Sequence, residues 1–134
     1  MLTGLIHGHK SIAYLLFLVA LVDLVLALTR GRTHAPTARL LRLSHSIGLM
    51  GLGRLTLVLG LVMLFVHPAY GPGTWWAWSG VVLWGPIEVA AKRLVKPELQ
   101  VVADGGQASG RLVLGTLIQL VCITVVFGLM SARP

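Results

Sequence analysis

Ser46-Ile47-Gly48-Leu49-Met50-Gly51-Leu52-Gly53-Arg54-Leu55-Thr56-Leu57-Val58-Leu59-Gly60-Leu61-Val62-Met63-Leu64-Phe65-Val66 is an apolar run with one arginine near its middle. About 20 mostly apolar residues cross the hydrocarbon of a bilayer, so the run reads as a spanning helix. An arginine at the centre of such a helix costs about 2.5–3.5 kcal/mol on insertion scales. Arg54 therefore needs a partner, a cavity or the interior of a bundle, and it is the first candidate for function.

The rest of the chain supports a membrane reading. Of 134 residues, 56% are hydrophobic and 11% charged, with a mean hydropathy of +0.87. Soluble domains carry about a quarter charged residues. The pattern predicts an all-α integral membrane four-helix bundle, residues 1–134 forming one transmembrane domain with spans at about 6–28, 44–66, 75–91 and 112–130. The first stretch lacks the basic segment that precedes a cleavable signal and is expected to be a retained anchor.

The formal charge of +7 does not point to nucleic acid, because the basic residues sit at the ends of apolar segments. Arg30, Arg32, Arg39 and Arg42 lie between the first two spans, and Lys92, Arg93, Lys96 and Arg111 between the last two. The opposite side has Lys10 and Arg133. The positive-inside rule then places both termini outside, in a bacterial inner membrane, with Tyr70, Trp75, Trp76 and Trp78 as an outer aromatic belt. The lone cysteine, Cys122, excludes an internal disulfide and a thiolate zinc cluster. No phosphate loop, GxSxG or HExxH motif occurs, so nothing marks the chain as an enzyme.

Steps of about 100° per residue sort the polar groups by face. His9, Leu16, Ala20, Asp23 and Ala27 share a sector of the first helix and are expected to face inward. His45, Leu52, Thr56, Gly60, Met63 and His67 share one on the second, with Gly53 at its edge. Arg54 falls opposite His45, so it faces a third helix or a partner chain; a homo-oligomer or another membrane protein is the implied partner, besides lipid. Asp23 and Glu88 lie at a depth that Arg54 can reach, making Asp23–Arg54 or Glu88–Arg54 a candidate ion pair or proton relay. Lys92, four residues after Glu88, is a competing local partner. Gln119 is expected to hydrogen-bond between helices, and Pro86 to disturb the third span.

Three function classes stay open. Haem b in a bundle needs imidazoles projecting inward from two helices, and His9 and His67 share a depth, with Arg54 available to a propionate or a carboxylate. His45 is the weaker cofactor candidate, since no second histidine lies at its depth. Copper could use His7, His9 and His67 with Met63 and Met1. The same histidines could instead be wetted at the outer boundary. The second class is a noncatalytic accessory or assembly subunit contacting its partner through Arg54 and the glycine face; the third is a small proton- or cation-coupled transporter using Asp23.

His9-Lys10-Ser11-Ile12-Ala13, Arg39-Leu40-Leu41-Arg42, Leu55-Thr56-Leu57-Val58-Leu59-Gly60-Leu61 and the tryptophan-opened third helix together resemble a group of four-helix membrane proteins: the SirB type, the copper-resistance D type and the membrane-bound protoporphyrinogen oxidase type. The resemblance covers roughly the first three helices. It implies a haem association for His9. The oxidase type carries a lysine shortly after its third-helix tryptophan, and Trp76-Ala77-Trp78-Ser79-Gly80-Val81-Val82 has none, which argues against porphyrinogen oxidation.

Overall fold

The computed structural model describes residues 1–29 and 32–132, and the chain is all-helical among them. Arg30 and Arg133 lie outside the described residues. Four antiparallel rods form the bundle: α1 (Leu2–Thr29), α2 (Ala35–Val66), α3 (residues 75–103) and α4 (Arg111–Ala132). α1, α2 and α4 are long and apolar enough to cross a membrane. α3 is not one of those three, because Glu88, Lys92, Arg93 and Lys96 punctuate it.

Two boundaries differ from the expected spans. α2 begins at Ala35 rather than near residue 44, so Arg39 and Arg42 ride on a helix instead of a loop. α3 continues past residue 91 to Ala103, which puts Lys92, Arg93 and Lys96 on its surface too. The reason in α3 is a π-helical turn at Ala91–Val95, where Lys96 N–H bonds the Ala91 carbonyl five residues back. Pro97 has no N–H to give and its ring crowds the carbonyl four residues earlier, so a widened turn accommodates it without ending the helix. The helix stops at Gly105, whose φ of +88° suits glycine. Gly106 N–H then reaches the Val101 carbonyl at 2.9 Å and Gly105 N–H the Val102 carbonyl at 3.1 Å, closing a Schellman ending.

A second π-helical stretch, Ser44–Gly51, lies in α2. It rotates every later residue relative to an ideal helix. Leu49, Met50 and Gly53 become buried, whereas Thr56, Gly60 and Met63 are only half-buried. On α1, which has no such interruption, the buried set is His9, Leu16, Ala20, Asp23 and Ala27, as the 100° pattern predicts.

The core has two apolar layers. Ala27, Ala38, Leu41, Val95, Leu99, Val102 and Leu112 fill the basic end, and Leu16, Ala20, Leu49, Met50, Ile87, Ala91 and Ile123 fill the middle. The loops at the basic end are tied together, since Ala108 N–H donates to the Arg32 carbonyl at 2.9 Å and Arg32 Nε to the Ala108 carbonyl at 3.4 Å. Large apolar side chains cover the outside, among them Leu18, Val25, Ile47, Phe65, Val82 and Val121. α4 packs along both α1 and α3. α2 and α3 meet closely near the basic end and hardly touch toward the aromatic end.

Candidate functional site

That parting of α2 from α3 leaves an apolar cavity of about 400 Å³ in the aromatic half of the bundle. Leu57, Leu61, Trp76, Trp84, Ile123 and Phe127 supply much of its wall, with contributions from all four rods. Tyr14 meets Phe127 edge-on at 5.0 Å and backs one side. The polar lining is sparse: His9, Lys10, Thr56, Tyr70 and Ser131. Such a combination, mostly apolar with a few polar groups, is what sites for small organic ligands have.

His9 is the buried polar residue of this wall, and its Nδ1 has no hydrogen-bond partner. Gly60 makes room for it, because a Cβ there would lie 3.2 Å from His9 Cε1. Thr56 spends its hydroxyl on the Leu52 carbonyl of its own helix at 2.8 Å. His9 Nδ1 has no accessible surface, so the ring meets the cavity with its other atoms, and a ligand would reach Nδ1 only if the imidazole turned about its side-chain bonds.

His67 follows a different path. α2 ends at Val66, and His67 takes an extended backbone before Pro68. Its ring stacks on Tyr70 at 4.4 Å, and its Nδ1 accepts the Ala69 N–H at 3.1 Å. It does not line the cavity. His7 is exposed on another face of α1. Among the described residues, no group of three or more His, Cys, Asp or Glu side chains is placed to hold a metal ion.

A polar layer crosses the bundle below the cavity. His45 is fully buried, and its Nε2 lies 3.0 Å from Gln119 Nε2 and 3.1 Å from Gln119 Oε1. Gln119 also donates to the Ile87 carbonyl at 3.2 Å, so one side chain of α4 joins α2 and α3. Gln119 thus makes the expected interhelical bonds, and the partner that His45 lacked among histidines is an amide. His45 Nδ1 stays unpaired. Beyond it, Arg42, Ser46, Lys96 and Gln100 border a polar groove of about 270 Å³ between α2 and α3.

Asp23 is buried on α1, where Oδ1 accepts the Ser44 hydroxyl at 2.5 Å and Oδ2 has no partner. Arg54 pairs with Glu88 instead, its Nε at 3.1 Å and Nη2 at 3.0 Å from Oε1. Of the two candidate pairs the cross-helix Glu88–Arg54 pair forms. It also displaces Lys92, which makes no ion pair with Glu88 among the described residues. Trp84 Nε1 donates to the same carboxylate oxygen at 3.2 Å, a contact within α3 at a spacing of four residues.

No protein-family model, characterised protein or solved structure matches this chain.

Proposed function

We propose that this chain is a bacterial inner-membrane protein that holds a flat, largely apolar ligand in the cavity beside His9, with haem b as the leading ligand. The observation that carries the reading is the buried His9 imidazole, its Nδ1 unpaired, on a side chain that lines an apolar cavity opening between α2 and α3. In a bilayer this opening faces lipid, so an apolar ligand has a lateral way in. The basic end lies in the cytoplasm, and the aromatic end, with both termini, lies on the outer side.

The residues present suit a haem held by one imidazole. The His9 imidazole would hold the haem iron, the aromatic and aliphatic walls would hold the macrocycle, and Lys10 at the lining would offset a propionate charge. Bound there, haem would supply one-electron redox chemistry. His67 and His45 have other neighbours, so a bis-histidine site has less support. Copper has less again, since His7 is exposed and His67 stacks on Tyr70 outside the cavity wall.

The test is an absorption titration of detergent-purified protein with haem. A Soret band is expected for the parent chain and for His67→Ala, and its loss or a clear shift for His9→Ala. No Soret band after haem supplementation, or a band indifferent to His9→Ala, overturns the reading.

A further inference from the structure

Arg54–Glu88 is the one ion pair among the described residues, and it sits on the outside of the bundle, with side-chain exposures of 58% and 22%. Arg54 is twelve residues from Arg42 at the basic end and twelve from Val66 at the aromatic end. Each separation is about 18 Å along the helix, farther than an arginine side chain extends. On α3, Glu88 is four residues, about 6 Å, from the exposed Lys92, so the pair lies inside the span and nearer its basic end than its aromatic end. In the bilayer placement proposed above, on which this inference rests, a half-open ion pair inside the span is costly, and such groups turn toward protein.

The pair is also incomplete. Arg54 Nε, Arg54 Nη2 and Trp84 Nε1 all donate to Glu88 Oε1, whereas Glu88 Oε2 and Arg54 Nη1 make no hydrogen bond among the described residues. Two exposed glycines flank it, Gly51 one turn before Arg54 and Gly85 one turn before Glu88. A Cβ at Gly85 would meet nothing within 4 Å, and one at Gly51 only the Ser46 carbonyl of its own helix at 3.7 Å. Missing side chains on both sides of a charge pair let another helix approach closely.

We propose that this face binds a second copy of the chain about a two-fold axis, each Arg54 extending its free Nη1 to the unused oxygen of the partner subunit's Glu88. A two-fold contact requires that what one residue gives, the same surface receives. An arginine and a glutamate side by side meet that requirement with no net charge. A different protein would have to bring a complementary pair of its own, whereas every copy of this chain carries one.

The experiment is the mass of the chain reconstituted in lipid nanodiscs or vesicles over a range of protein-to-lipid ratios. A dimer of the 14.4 kDa chain is expected. Arg54→Ala should raise the ratio at half-dimerisation by about tenfold or more, the worth of one or two intramembrane hydrogen bonds. Gly85→Leu tests the same face without touching the ion pair. Its side chain enters open space in the single chain, so helical content should hold while dimerisation falls by a similar factor. A monomer at every ratio, a dimer unmoved by both variants, or a monomeric chain bound stoichiometrically to another membrane protein each overturns the proposal. Extraction of the chain from membranes by alkaline carbonate would instead refute the bilayer placement, and the Soret titration tests the ligand separately.

Discussion

At the scale of single residues, the buried polar groups divide by whether their partners are supplied. Gln119 is the most consequential, because it bonds His45 Nε2 on α2 and the Ile87 carbonyl on α3 at once. Gln119→Leu strands His45 Nε2, while the Ile87 carbonyl keeps the Ala91 N–H, and should cost about 1–3 kcal/mol in thermal unfolding of detergent-solubilised protein. The double variant His45→Leu with Gln119→Leu should recover part of that loss, since removing both partners is cheaper than orphaning one. A double variant that is less stable than Gln119→Leu alone would show that His45 stabilises through other contacts. Asp23 behaves differently. With Ser44 donating to one oxygen and nothing bonding the other, Asp23→Asn keeps an acceptor and removes a potential buried charge. Its unfolding temperature should equal or exceed the parent's, and any flux coupled to Asp23 protonation should disappear.

At the scale of helices, glycines show where rods touch and where they do not. Gly115 on α4 lies against α3: a Cβ there would fall 2.7 Å from Val95 Cγ2 and 2.9 Å from Leu94 Cβ. Gly115→Ala should destabilise by about 1–3 kcal/mol through overpacking. Gly128, later on the same helix, has open space around it, so Gly128→Ala should be neutral or stabilising by up to about 1 kcal/mol from helix propensity. Parallel melting curves of the two variants check the contrast. The π-helical stretches belong to this scale as well. The inward face of the uninterrupted α1 was legible at 100° per residue; on α2 the same steps found His45 and the cavity-lining Thr56, Gly60 and Met63 but missed the burial of Leu49 and Met50, because the phase changes within Ser44–Gly51.

At the scale of the whole molecule, the two loops at the basic end are tied to each other and the Pro68–Thr74 loop lies at the other end. In a Cys122→Ser background, a membrane-impermeant thiol reagent applied to intact cells should label Gly73→Cys and spare His34→Cys; the reverse pattern would invert the proposed orientation. Amino-acid order alone established the helical class, the four rods and the inward face of α1. Those features follow from local chemistry: apolar content, helical periodicity and charge placed at segment ends. Tertiary structure decided that Arg54 takes Glu88 rather than Asp23, that Gln119 answers His45, and that His9 enters a cavity while His67 turns to Tyr70. Each of these depends on how rods rotate and splay relative to one another, which two π-helical turns and the parting of α2 from α3 set, and which no spacing within a single helix encodes.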